Sequence, residues 1–409
     1  MMDVLFEMHL TFLRALPPVS FSRYLIHQID WTERGILITG PRGVGKTVMV
    51  HQYFLNQALY RPVTDYLYVL ADSLPVVQMG LYKVVADYFQ NYGGKAVFID
   101  EVQKYDHWQQ ELKTIFDVFG HKQIVVSGSS SLLLNETDSD IKRRRAAYEL
   151  PVLSFREYLD LAYDCQIAPF RLEDLLDRYM ELAMTVHDKI HNSPTIENSA
   201  VMRLYKEYLK QGQFAFCIDA KSTYLTRLNE TINAVIEQDI CKLFSLPPSS
   251  IEALKKLYIV CVISEPFTPN YLSLSRELGI SKDSVKKYFT YLEKAGLIRI
   301  LRHSPHKISD IISDKGKILA ANTNDLYAIC TEPKVGTIRE VEFACATARY
   351  HPYLDSQADF VIGERVFEVG GPNKGRKQIR HKAEAFIVRD DAGMPSKGVI
   401  PLYLFGFLY

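Results

Sequence analysis

An α/β fold, with a parallel sheet covered by helices on both faces, is predicted from three features of the first 155 residues. Four short apolar runs stand out: Gly35-Ile36-Leu37-Ile38-Thr39, Tyr66-Leu67-Tyr68-Val69-Leu70, Ala96-Val97-Phe98-Ile99-Asp100 and Gln123-Ile124-Val125-Val126-Ser127. Helical stretches separate them, and unbroken apolar strands alternating with helices imply a sheet buried on both sides. The third feature is a glycine-rich turn, Gly40–Thr47, which joins the first run to a helix expected from Val48 to about Tyr60.

Beyond this region the pattern changes. Residues 155 to about 245 read as helices rich in Leu, Tyr and charge, as in Leu172-Glu173-Asp174-Leu175-Leu176-Asp177-Arg178-Tyr179. Pro247-Pro248 marks a boundary. Three short amphipathic helices and a strand are expected from about 250 to 303. From 304 to 409 strands return, punctuated by Gly and Pro without a helical repeat, and Ile400–Tyr409 reads as a last strand tucked into that sheet. The expected partition is 1–155, 156–246, 247–305 and 306–409. It fits the two to four domains that 409 residues allow at roughly 100–200 residues each.

Composition removes several classes of protein. The 47% hydrophobic and 23% charged residues exclude a wholly disordered or collagen-like chain. No apolar run reaches the ~18–20 residues of a membrane span, and the first residues lack the blocks of an export signal, so no membrane partner is expected. Six cysteines (Cys165, Cys217, Cys241, Cys261, Cys330, Cys345) lie far apart with no CxxC pair. That argues against a zinc ribbon and for reduced thiols in the cytoplasm. With 48 Lys+Arg against 48 Asp+Glu, any contact with nucleic acid must come from a local patch.

The chemistry concentrates in Gly40-Pro41-Arg42-Gly43-Val44-Gly45-Lys46-Thr47, which fits G-x-x-x-x-G-K-[ST]. Glycines let the backbone curl until successive N–H groups face one phosphate, and the following helix turns its positive end toward the same anion. Lys46 would then reach the β- and γ-phosphates of ATP, and the Thr47 hydroxyl would ligate Mg²⁺. The run Val97–Ile99 ends in Asp100-Glu101. Asp100 would hold the Mg²⁺, directly or through water, and Glu101 could polarise the attacking water. The next run ends in Ser127-Gly128-Ser129-Ser130-Ser131; a hydroxyl of Ser127 or Ser129 could sense the γ-phosphate, or the segment could be a Ser-rich turn. Then comes Ile141-Lys142-Arg143-Arg144-Arg145. A guanidinium here could reach a γ-phosphate in cis or from a neighbouring subunit. A solvated loop or a nucleic-acid anchor are the other readings.

Together, the Gly40–Thr47 turn, Ile99-Asp100-Glu101-Val102-Gln103-Lys104, Ser127-Gly128-Ser129-Ser130 and Tyr148-Glu149-Leu150-Pro151-Val152-Leu153-Ser154-Phe155-Arg156-Glu157-Tyr158 resemble a group of prokaryotic AAA-type ATP-binding proteins. The resemblance spans essentially the whole chain. It implies a P-loop NTPase core at 1–155, a helical lid or linker at 156–246, a winged helix at 247–305 and a restriction-endonuclease-like α/β domain at 306–409. It also favours Arg145 as the catalytic arginine. In the family that arginine follows a glycine; Arg144 fills the place here.

Within 271–303 a helix anchored by Leu274, Leu278 and Ile280, a turn at Gly279 and a second helix capped by Ser281 form a helix-turn-helix. The second helix would bury Val285, Tyr288, Phe289 and Leu292 and leave Lys282, Lys286 and Lys287 outward, with a wing strand from Leu297 to Leu301. Seven Lys+Arg against three Asp+Glu could neutralise DNA phosphates; winged helices also serve as packing modules. Farther on, Ala358–Val369 reads as a hairpin about a Gly363-Glu364 turn, with Ile362 facing Arg365 and Asp359 facing Glu368. Like charges so placed repel, a conflict that a divalent cation would remove, with Glu340 completing the site. The lysine that metal-dependent nucleases carry two residues after the second acid is Gly370 here; Lys374 or Lys377 could substitute.

The expected function is Mg²⁺-dependent ATP hydrolysis, with the nucleotide state controlling a C-terminal module that contacts a partner or DNA. Basal turnover is expected to be slow, since such ATPases often need an arginine from a neighbouring copy of the chain, with action of Arg145 in cis or in trans left open. Nuclease activity is doubtful without the usual lysine. The alternatives are an ATP-licensed metal-dependent nuclease and a non-enzymatic winged-helix DNA-binding regulator.

Overall fold

The four apolar runs pair as parallel strands at the residue limits read from the sequence: β1 (Gly35–Thr39), β2 (Tyr66–Leu70), β3 (Ala96–Asp100) and β4 (Gln123–Ser127). A fifth strand, β5 (Ala146–Glu149), closes the sheet in the order β2-β3-β4-β1-β5. The computed structural model describes residues 1–16, 21–56, 61–128, 143–197, 200–241, 244, 246–303, 316–355, 358–374, 384–391 and 393–409. It divides into two compact units, Met1–Val152 and Leu153–Tyr409. No helix among the described residues is long and apolar enough to cross a membrane.

Burial explains why the sheet of the N-terminal unit is so legible. β1 and β3 are buried at every residue, so both faces of each strand demand apolar side chains and the sequence runs without alternation. Helix α1 (Met2–Ala15) packs on β2, and α2 (Lys46–Asn56) follows the glycine turn; α3 (Leu74–Met79), α4 (Leu81–Asn91) and α5 (Trp108–Phe119) complete the connections. Strand β5 escaped the reading because it is short and only half-buried, with alternating exposure. Placing β4 between β1 and β3 matters for function: Ser127 stands between the glycine turn and Asp100 at the carboxyl edge of the sheet.

The C-terminal unit begins with α6 (Phe155–Tyr163), whose Ser154 and Glu157 form a reciprocal capping box. Helices α7 (Leu172–His191), α8 (Val201–Gln211) and α9 (Tyr224–Ala234) follow, the last continuing into a π-helical turn, Val235–Ile240. Proline opens α10 (Pro248–Ile263) at its first position, where its missing N–H is harmless. Then come α11 (Tyr271–Leu278), α12 (Lys282–Lys294) and an antiparallel ribbon, β6 (Ile298–Arg302) with β7 (Gly316–Ala320). In α12 the buried residues are Val285, Tyr288, Phe289 and Leu292, the set that the helical period selects.

The last hundred residues carry helices α13 (Thr323–Ile329) and α14 (Val335–Ala346) ahead of their sheet, and one expectation there needs correction. The strands β8 (Tyr353–Asp355), β9 (Ala358–Ile362), β10 (Arg365–Gly370), β11 (Ala385–Arg389) and β12 (Val399–Pro401) lie in the order β12-β11-β10-β9-β8. Only the start of the terminal apolar run is strand; Leu402–Phe407 winds into a buried 3₁₀ helix. A run buried on all sides carries no period, so strand and helix cannot be told apart. Gly406 fits there because a side chain at that position would meet Phe155 Cβ.

A buried polar hub unites these elements. The last-turn carbonyls of α8 accept from side chains at the start of α13: Asn324 Nδ2 donates to Tyr208 O (3.1 Å) and Leu209 O (2.9 Å), and Thr323 Oγ1 donates to Leu209 O (2.7 Å). Gln213 Nε2 donates to Glu342 Oε2 on α14 (3.0 Å). Burial pushes Glu342 up to about 8 and Asp325 up to about 7. A carboxyl whose native pKa lies above its unfolded value stabilises the fold while protonated, and that contribution is lost as pH rises through the native pKa. The melting midpoint of this unit is therefore expected to fall between pH 5 and pH 8, by on the order of 5 °C. Calorimetry on wild type and Glu342→Gln, which should flatten the profile, checks it.

Candidate nucleotide site

The glycine turn is built as the sequence requires. Gly40, Gly43 and Gly45 have φ of 145°, 82° and 95°, a region that favours glycine. A side chain at Gly40 would also run into the Leu150 carbonyl. Lys46 opens α2, is only 5% exposed, and donates from Nζ to Gly40 O and Pro41 O (2.9 Å each). Pro41, Arg42 and Val44 lie within the same turn, Val44 fully buried.

Asp100 is the hub of the site. Its Oδ2 accepts from the Thr47 hydroxyl (2.8 Å) and the Tyr68 hydroxyl (3.1 Å); its Oδ1 accepts from the Ser127 hydroxyl and from the Glu101 N–H (3.0 Å). Burial raises its carboxyl above the ordinary aspartate range, against the Ser127 and Thr47 hydroxyls and the Lys46 charge, which pull it down. Glu101 sits in the left-handed region (φ 53°, ψ 40°), a conformation costly for a residue with a side chain. Its carboxylate accepts from Gln103 Nε2 (2.9 Å) and pairs with Lys104 (3.5 Å).

Lys46, Thr47, Asp100, Glu101 and Ser127 are thus gathered at one edge of the sheet. Ser129 lies outside the described residues. Arg145 is elsewhere: it immediately precedes β5, whose Ala146 pairs with Ile36, and the neighbouring Arg144 carbonyl packs against Gly35. That is the amino edge, about 17 Å along β1 from the start of the glycine turn at a strand rise of ~3.3 Å.

Sequence reasoning missed Tyr68. The β2–β3 register explains its place: Leu70 pairs with Asp100, and Tyr68, two residues earlier, lies on the same face as Leu70, a relation that only the paired strands reveal.

The second acidic group has a different character. The hairpin register is the expected one, Arg365 opposite Ile362 and Phe367 opposite Phe360. Between the acids lies an ammonium: Lys374 Nζ is 3.0 Å from Asp359 Oδ2 and 2.6 Å from Glu368 Oε2. Gly370 makes this possible, since a Cβ there would lie 2.6–2.8 Å from the Lys374 side-chain carbons. Glu340 pairs with Lys317. Among the described residues no group of three or more His, Cys, Asp or Glu is placed to hold a metal ion. Lys377 lies outside the described residues.

Comparison with known proteins agrees with this geometry where it bears on it. Residues 202–323 match a domain family of unknown function, DUF8612. An uncharacterized protein of Methanocaldococcus jannaschii, MJ1637, is 25% identical over 270 residues, 64% of this chain and 55% of its own length; the chain thus spans about half of that relative. Two solved structures show fainter similarity. The Aeropyrum pernix ORC1 protein in complex with DNA is 12% identical, covering 80% of this chain and 91% of its own, with a TM-score of 0.31. AMPPCP-bound DnaA from Aquifex aeolicus is 15% identical, covering 66% and 84%, with a TM-score of 0.28. Neither superposition is close enough to bear on function. Residues 32–159, which hold the glycine turn, Asp100 and Ser127, match the AAA domain family, and the five-stranded parallel sheet around them is that of a P-loop NTPase fold.

Proposed function

We propose that the protein hydrolyses ATP with Mg²⁺ and uses its nucleotide state to control a C-terminal module that contacts a protein partner or DNA. The observation that carries this reading is the convergence of Thr47 and Ser127 on one buried carboxylate, Asp100, beside a glycine turn closed by Lys46. The residues fit the group they would hold: Thr47 Oγ1 and Asp100 offer the hard oxygen donors that Mg²⁺ prefers. Bound there, Mg²⁺ would neutralise charge on the phosphates. The turn's N–H groups and Lys46 bind phosphate, Ser127 reads its presence, and Glu101, held by Gln103, orients and polarises water. Calorimetric titration with Mg²⁺ and ATP tests the reading; no heat of binding would overturn it.

Arg145 serves a neighbouring subunit in this reading, because one strand length separates it from the phosphates of its own. Turnover is then slow for isolated subunits and rises with protein concentration. Arg145→Ala is expected to lower it by about a thousandfold. Mixing Arg145→Ala with Lys46→Ala should restore part of the activity, since each supplies what the other lacks. A mixture as inactive as its components rejects action in trans.

The three helices and strand β6 within 247–305 form the winged helix of this proposal, with Lys282 and Lys287 exposed on α12 and Lys286 stacked over Tyr271 (5.3 Å). They are its candidate DNA contact, tested by salt-dependent duplex binding. A second reading, ATP-licensed nuclease activity of the 306–409 segment, is favoured by the position of Lys374, which takes up beside both acids the place that Gly370 leaves open. It requires metal-dependent nicking that disappears in Asp359→Ala and Glu368→Ala.

A further inference from the structure

Arg23 lies in no motif, yet it is the buried cation behind the glycine turn. It is 3% exposed and sits just ahead of a short 3₁₀ turn, Tyr24–His27. Its Nη1 donates to the Val44 carbonyl at the apex of the turn; its Nη2 donates to Pro151 O (2.8 Å) and Val152 O (3.3 Å). The same segment touches the turn a second time, since the Leu150 carbonyl packs on Gly40 and the Leu150 N–H donates to Thr39 O (2.8 Å).

The consequence follows from peptide geometry. The Val44 carbonyl and the Gly45 N–H belong to one planar unit and point in opposite directions. A guanidinium on the carbonyl therefore holds the Gly45 N–H facing away from Arg23, on the side where a phosphate can accept it, and strengthens it as a donor. We propose that Arg23 is a positioning residue for the nucleotide: it fixes the Val44–Gly45 peptide and ties it to Pro151–Val152, the last residues of the N-terminal unit. Phosphate binding at the turn and order in the 150–152 segment then rise and fall together. The inference rests on the nucleotide reading above and adds a residue and a route to it.

The test compares wild type, Arg23→Lys and Arg23→Gln in titrations with ATP, ADP and AMP. Arg23→Gln is expected to weaken ATP and ADP by about tenfold to a hundredfold and AMP much less, because the N–H at issue serves the β-phosphate region. KM should rise while kcat holds, since Lys46, Asp100 and Glu101 are untouched. Arg23→Lys should recover part of the loss, as one ammonium cannot span three carbonyls as a planar fork does. Wild-type protein that binds no nucleotide overturns the underlying reading; wild type that binds while Arg23→Gln binds equally overturns the role of Arg23 alone. Should neither variant fold, hydrogen exchange on wild type decides. Mg²⁺ with ATP must slow exchange in 21–24 and 150–152 as well as in 40–47, and slowing confined to 40–47 rejects the proposal.

Discussion

Lys46→Ala is expected to abolish measurable ATP turnover and to weaken ATP binding by at least about a hundredfold, the scale seen when a charge-stabilising donor is removed from a reactive site. The fold should survive. The side chain contacts its own turn through Gly40 O and Pro41 O, and the curl itself is held by three glycines at positive φ. Thermal melting of the variant should stay within a few degrees of wild type while a titration with ATP shows the loss. Undiminished affinity would remove the nucleotide from the account of this turn and leave its geometry without a purpose.

Glu101→Gln separates binding from chemistry. The amide keeps an oxygen that accepts from Gln103, so position is retained while the charge that polarises water is lost. Turnover should fall by about a hundredfold to a thousandfold, with ATP affinity unchanged or increased. Single-turnover kinetics with labelled ATP give the rate of the chemical step directly. A variant that hydrolyses at the wild-type rate would assign water activation to another group, and the left-handed backbone at Glu101 would need another explanation.

The parts of the molecule that sequence reveals are those where one physical demand acts alone. Complete burial of β1 and β3 forces apolar residues at every position, and the limits of these strands can be read to the residue. The buried face of α12 follows from its period for the same reason. Legibility ends where the deciding contact is remote. Nothing near Lys374 says that its chain folds back over Gly370 toward Asp359 and Glu368; a turn decides it. Arg145 reads as a partner of the phosphates until β5 places it at the opposite edge of the sheet. Arg23 and Tyr68 reach the site through tertiary contacts with segments 128 and 32 positions away, which no local pattern records.

The closure of α8 bears on how such a chain can be inherited. The carbonyls of its last turn are satisfied by side chains that arrive more than a hundred positions later, after the proline pair, three further helices and a ribbon. A gene fragment ending anywhere in that interval would encode α8 with its last carbonyls open, and a break at Pro247-Pro248 would leave the upstream piece with those acceptors and the downstream piece with the unmatched donors of Thr323 and Asn324. Val201–Gln211 and Thr323–Ile329 are therefore expected to be kept or lost together.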